Sequence, residues 1–238
     1  MEDLKYKYNP HVSVDCVVFG FNGEKLKVLL IERTIDEEQG FYSDKKLPGS
    51  IIYEEENLDT AAARILRELT GLKNVFLSQF HSFGNPERTS NPRDINWLEM
   101  TTKMKIGRIV TVGYVALIKI SRKIIFESEN TTARWYDIEE LKKMELAFDH
   151  NQIADEALRF MRKQITLEPN ILFELLPQKF TMTELRNLHD IVVGVKSDVR
   201  NFQKKMLQFD GLIPLDEVKK NVPHRAPKLY RFDKRKAT

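Results

Sequence analysis

Apolar positions near the start of the chain fall into two short runs, residues 13–21 (SVDCVVFGF) and 26–32 (LKVLLIE), separated by Asn22-Gly23. Both positions of an Asn-Gly pair accept positive φ, so the pattern predicts a β-hairpin. Residues 34–46 are polar and predict a loop. Between residues 59 and 70 the period changes, and Ala62, Ile65, Leu66 and Leu69 recur at helical spacing with Asp59 placed as the cap. Residues 75–83, 109–120 and 132–136 predict strands, the second of them (IVTVGYVALIKI) apolar enough to be central. A short helix is expected over 138–144. A longer one over 151–163 has Ile153, Ala157, Leu158 and Met161 on one side. Residues 89–107, with Pro92, Trp97 and several charges, follow neither period.

Pro169 and Pro177 interrupt the pattern, which divides the chain into residues 1–164, a connecting segment over 165–178, and residues 179–238. The connecting segment still holds an apolar cluster (Ile171, Leu172, Phe173, Leu175, Leu176) that needs burial. Thr181 and Glu184 have capping-box spacing, Leu185, Leu188, Ile191 and Val192 form one face, and Gly194 ends that helix. Ser197 or Asp198 can cap a second helix running to about residue 209. At ~100° per residue, Val199, Phe202, Gln203, Met206 and Phe209 share its inner side. Arg200, Asn201, Lys204, Lys205 and Gln208 fall opposite. Arg, Asn and Gln can address base edges and Lys suits phosphates, so this is a candidate helix-turn-helix. Residues 212–215 and 228–232 would form a wing, with Lys219, Lys220, His224 and Arg225 towards its tip. A merely solvated helix face would give the same charge pattern, and it is the order of elements that favours DNA.

The 238-residue length allows one large domain or two ordinary ones, and the charge balance differs along it. Net charge is +3, but residues 1–164 carry 24 basic and 26 acidic residues against 14 and 9 in residues 165–238. From Arg200 onward there are 11 basic and 4 acidic residues, a stretch suited to a phosphate backbone. The single cysteine, Cys16, sits in an apolar run, which excludes a disulfide framework and predicts an inert buried thiol. The first ten residues lack an apolar signal core and no run reaches the ~18 apolar residues of a span. A cytoplasmic protein with no membrane partner is expected.

The candidate chemistry lies in residues 47–72, LPGSIIYEEENLDTAAARILRELTGL. The stretch resembles the Nudix box of pyrophosphate hydrolases: a glycine, five residues, a glutamate, seven residues, then R-E-U-x-E-E-x-G-U, with U a bulky aliphatic. Ser50 stands at the opening glycine, Glu56 at the isolated glutamate, Arg64 at the arginine and Gly71 at the closing glycine. Of the three glutamates after the arginine, only Glu68 is kept, and Ile65 and Leu69 replace the others. Glutamates three and four residues apart on a helix share a face and can hold hard cations. One carboxylate beside two aliphatics is a poor magnesium cage. The resemblance therefore implies the fold without catalytic residues, bound metal or other cofactor. Glu56 and Glu68 then read as structural partners of Arg64 or as remnants of a metal site.

A degenerate box followed by a basic winged helix resembles the Nudix-related transcriptional regulators of bacteria. The strings FHSFGNPER, GRIVTVGYVALI, ARWYDIEEL, LAFDHNQIADEAL, FELLPQKFTMTEL, DVRNFQKKML and PKLYRF extend the likeness over nearly the whole chain. Against the usual pattern of that family, residues 89–107 stand as an insertion. The resemblance implies an α+β protein: a Nudix-type α/β/α sandwich with a mixed sheet, then a winged helix-turn-helix. It also implies a homodimeric repressor on palindromic double-stranded operator DNA, released by a small effector. In that family the effectors are ADP-ribose-type compounds or sugars such as L-arabinose, and this chain looks closer to the sugar branch. Arg33, Phe83, Arg88, Phe148, Asp149 and His150, at predicted strand ends and in loops, are the candidate effector contacts. His150 could equally be an ordinary helix N-terminal residue. The competing classes are a residual Nudix hydrolase using Glu54, Glu55 and Glu56, and a non-enzymatic adaptor.

Overall fold

The structure, a computed structural model of the chain, describes residues 7–37, 40–120, 126–127, 131–220 and 226–236. The chain forms two compact units, one of residues 1–19, 27–117 and 122–160, the other of residues 20–26, 118–121 and 161–238.

The first ten elements are β1 (Tyr8–Phe21), β2 (Leu26–Glu37), β3 (Gly40–Lys46), β4 (Gly49–Tyr53), α1 (Leu58–Thr70), β5 (Ser78–Phe83), α2 (Pro92–Thr102), β6 (Val110–Lys119), β7 (Phe126–Glu127) and β8 (Thr131–Asp137). Next come α3 (Ile138–Leu141) and α4 (His150–Leu167). The sheet order is β5-β6-β1-β2-β8-β7, with β3 added to β2 and β4 to β1. The β1–β2 turn forms at Asn22-Gly23: Gly23 has φ 101°, and Asn22 Oδ1 accepts from the amides of Glu24 and Lys25. The inner strands are fully apolar on both faces, from Val17 to Phe19 in β1 and Val28 to Leu30 in β2.

Two sequence expectations change here, and a third stretch gains a helix. Residues 34–46 are not a loop, because β2 and β3 pair antiparallel from Ile31↔Lys46 to Glu37↔Gly40. Polar residues are tolerated there because Arg33 and Asp44 pair across the strands. Residues 89–107, which follow neither period in the sequence, contain helix α2. Asn91 caps α2 by accepting from Arg93 N, and Pro92 takes the first helical position, where its missing N–H costs nothing. Leu98 joins a buried cluster with Ile51, Ile106 and Ile109, a burial worth roughly 1.5–3 kcal/mol. The cap of α1 is Asn57, whose Oδ1 accepts from Thr60 N at 2.8 Å. Asp59 instead accepts from the Tyr114 hydroxyl at 2.6 Å.

The second unit contains a 3₁₀ turn (Pro169–Leu175), β9 (Phe180–Thr181), α5 (Met182–Val193), α6 (Val199–Leu207), β10 (Leu212–Val218) and β11 (Lys228–Phe232). Its sheet order is β10-β11-β9. The segment over 165–178 is ordered rather than a bare connection, since α4 continues to Leu167 and the turn buries Leu172, Phe173 and Leu175. Phe173 stacks on Phe232 with centroids 4.1 Å apart and also meets Phe180 and Phe209. That aromatic group is the burial its apolar cluster needs. Thr181 and Glu184 close a reciprocal capping box on α5, and Gly194, at φ 80°, ends it. Asp198 caps α6 by accepting from Asn201 N at 2.9 Å. Among the described residues no helix is long and apolar enough to cross a membrane.

Candidate functional site

Helix α1 presents the box residues. Ile65 is buried in the core and Leu69 is half-buried. Arg64 Nε donates to Glu56 Oε2 at 2.9 Å, Nη2 pairs with Glu56 Oε1, and Nη1 reaches Glu68 Oε2 at 3.0 Å. Its guanidinium also lies 4.0 Å from the Tyr53 ring centroid, and Glu56 accepts from Tyr53 N. Burial alone would raise the Glu56 carboxyl, but Arg64 and the Tyr53 amide outweigh it and keep it ionised. A divalent cation here would have to displace a guanidinium from both carboxylates and would find aliphatic side chains at the two remaining ligand positions. The residues present do not fit the metal that the fold family uses. Among the described residues no group of three or more His, Cys, Asp or Glu side chains could hold one.

Beside the box strand lies a buried polar cleft. Its centre is Asp15 on β1, opposite Gly49 of β4. Asp15 accepts from Thr111 Oγ1 at 2.7 Å and faces His150 Nε2 at 3.3 Å and Arg88 Nη2 at 3.5 Å. Gly49 is required by this packing, because a Cβ there would stand 1.8 Å from Asp15 Oδ1. Burial by itself would raise the Asp15 carboxyl, but His150, Arg88 and Lys46 together hold it well below the usual carboxylate range. Lys46, at the end of β3, donates to the carbonyls of Leu47 and Gly49. Burial pushes its pKa down to about 8, against the opposing pull of Asp15. Ser13, Ser50, Leu98, Ile109 and Phe148 complete a cleft with about 20 Å³ of free volume, room for roughly one water. A second cleft of about 200 Å³ shares Arg88 and Phe148 with the first and adds Asn85, Asn91, Asp94 and Asp149.

Of the expected effector contacts, Arg88, Phe148, Asp149 and His150 come together. Arg88 Nε and Nη2 donate to the two Asp149 oxygens at 3.0 and 2.9 Å. His150 Nδ1 accepts from Leu47 N at 3.0 Å, so this ring holds the box strand to α4. Arg33 borders neither cleft. It is fully buried, paired with Asp44 and Asp94, and its guanidinium lies 4.8 Å from the Trp97 ring and 5.7 Å from Phe148. Phe83 packs edge-on against Phe80 and His81 and lines neither cleft, so it is a core ring rather than a ligand platform. Sequence reading passed over Asp15, Lys46, Asp94 and Thr111. The available signal was a lone acid, Asp15, inside an otherwise apolar strand.

On α6, Arg200, Asn201, Lys204, Lys205 and Gln208 are all exposed, and Phe202 and Met206 are the buried residues. Val199 and Gln203, expected on the inner side, are exposed as well. The helix is short and its buried contact is centred between Phe202 and Met206, so the flanking positions 199 and 203 stay outside. Wing residue Lys220 is exposed, and Lys219 donates to the cap residue Glu184 at 2.7 Å. His224 and Arg225 lie outside the described residues.

Comparison with known proteins matches residues 9–157 to the NUDIX domain model and residues 172–232 to the NrtR DNA-binding winged helix domain model. Over 228 residues the chain is 30% identical to the ADPR responsive transcriptional repressor NtrR of Acinetobacter baylyi, covering 94% of this chain and 82% of that protein. The crystal structure of Shewanella oneidensis NrtR complexed with a 27mer DNA is 26% identical, with a TM-score of 0.68 over 93% of each chain. The NUDIX domain of the same S. oneidensis protein complexed with ADP ribose is 29% identical, with a TM-score of 0.50 over 66% of this chain and 92% of that one.

Proposed function

We propose that this chain, which belongs to the family joining a Nudix domain to an NrtR-type DNA-binding winged helix, is a transcriptional repressor that senses its effector without hydrolysing it. A homodimer would set two copies of α6 on the half-sites of a palindromic operator. An ADP-ribose-type compound bound to the Nudix domain would release the DNA. The observation that carries this reading is that one chain holds both a box occupied by its own arginine and a helix with an exposed cationic face. On α1, Arg64 takes up both remaining carboxylates; on α6, an exposed cationic face stands over a well-packed core. ADP-ribose displaces L-arabinose as the effector of choice, because the A. baylyi relative is ADPR responsive and the S. oneidensis NUDIX domain is solved with ADP ribose.

The test is a titration of homogeneous protein onto duplexes covering the region upstream of its own gene, with ADP-ribose and L-arabinose added in separate arms. Retention of one duplex, release by ADP-ribose and dimer mass by light scattering are expected. Release by L-arabinose alone would reassign the effector. Failure to retain any duplex, or robust hydrolysis of ADP-ribose with magnesium or manganese, would overturn the reading.

A further inference from the structure

The first residue of α6 is out of character for the fold. Val199 is 55% exposed, whereas Phe202 and Met206 on the same helix are 5% and 1% exposed. Val199 lies outside the buried core, and a β-branched residue is a weak helix former. The next residue, Arg200, puts a cation against the positive end of the helix dipole. The carboxylate at this end of α6 is supplied by the cap residue Asp198. An exposed β-branched residue that the helix itself does not need points to what the helix meets.

The surroundings narrow the partner. Val199 is exposed at the start of a helix whose other exposed residues include Arg200, Asn201, Lys204 and Lys205 further round its circumference, and the acid at this end is the cap residue Asp198. A helix that exposes an apolar side chain together with cationic and amide ones suits a polyanion that also displays apolar groups. In the major groove of B-DNA, the apolar group on a base edge is the 5-methyl of thymine. In a helix-turn-helix the N-terminal residues of the second helix meet the base edges, and Val199 stands at that end. The match of residues 172–232 to a DNA-binding winged helix favours DNA over an acidic protein surface.

We infer that Val199 is a specificity-determining residue that packs on a thymine methyl group in each operator half-site. The inference rests on the operator-binding reading above and adds a base to it. Arg200 and Asn201, its neighbours, would address adjoining base pairs through hydrogen bonds.

The experiment uses duplexes enriched from a random-sequence pool by the full-length protein. Each thymine of the enriched site is replaced in turn by deoxyuridine, which removes the methyl group and nothing else. Affinities are measured for the wild-type chain and for Val199→Ala, whose fold is checked by a thermal melt. At one thymine per half-site the wild type should lose about fourfold in affinity, the effect of exposing one methyl group. Val199→Ala should show no further loss there, and its slope of log affinity against log salt should equal that of the wild type, because no phosphate contact is removed. Insensitivity of the wild type to every deoxyuridine, or equal sensitivity in Val199→Ala, would overturn the inference while leaving operator binding intact. Enrichment of no duplex would overturn both.

Discussion

Replacing Asp15 by asparagine removes one charge and almost no volume, which isolates the electrostatics of the buried cleft. The Asp15 side chain is 6% exposed and faces Thr111, Arg88 and His150. Removing one partner of a buried charged cluster costs about 3–5 kcal/mol, because the charges left behind are uncompensated. Here the cations have outlets. Arg88 keeps its two bonds to Asp149. Lys46, already lowered to about 8, can shed its proton. The expected loss is therefore at the low end, ~3 kcal/mol, or roughly a hundredfold in the folding constant. Both tryptophans, Trp97 and Trp135, lie in the first unit, so urea unfolding followed by their fluorescence reports on that unit. The depressed Asp15 carboxyl contributes stability that is present above the ordinary aspartate value near 4 and is lost as pH falls through the folded one. Acidification below about pH 5 should then weaken the wild type more steeply than Asp15→Asn. A loss under ~1 kcal/mol in the variant, with the acid dependence of the wild type retained, would refute the reasoning.

Lys46 should act at the other end of the pH scale. Between pH 8 and 10.5 the unfolded chain binds a proton that the folded one has released, so the first unit should gain up to ~3 kcal/mol as pH rises, and Lys46→Met should abolish the gain in urea titrations. Gly49→Ala would drive a methyl group into Asp15 and should cost ~1–3 kcal/mol or more by the same assay; an unchanged midpoint would contradict the packing. Phe202→Ala should remove ~3–5 kcal/mol from the second unit in thermal melts. Arg200→Ala should leave that melt unchanged and cost ~1–3 kcal/mol in operator binding, with relaxed preference at one position.

Local chemistry made much of this architecture legible. The hairpin at Asn22-Gly23, the capping box of Thr181 and Glu184, the stop at Gly194 and the cap at Asp198 each depend on residues within four positions of one another. Failures came where a signal had two meanings. Pro92 reads as a breaker in a polar stretch, yet proline is also favoured at a first helical position, and the Asn91 cap that resolves the matter is a weak cue by itself. Residues 34–46 lack apolar alternation because β2 and β3 are held by backbone pairing and the Arg33–Asp44 pair rather than by an apolar face. The inner face of α6 was drawn too wide, because a nine-residue helix packing through Phe202 and Met206 leaves Val199 outside. The cleft was the least visible part. Asp15, Lys46, Arg88, Thr111 and His150 come from five separate stretches, and only the tertiary fold brings them together.

The guanidinium of Arg64, fixed on Glu56 and Glu68, has a consequence for what this protein can report. A receptor that cleaves its own signal responds to the balance of supply and destruction, so its occupancy tracks flux and depends on the magnesium that drives cleavage. Under the sensing reading, a receptor whose box carries an internal counter-ion would lose ligand only by dissociation. Its occupancy follows the free concentration of the effector and is indifferent to divalent ions. Under the sensing reading, the salt bridge on α1 turns a catalyst's scaffold into an equilibrium gauge.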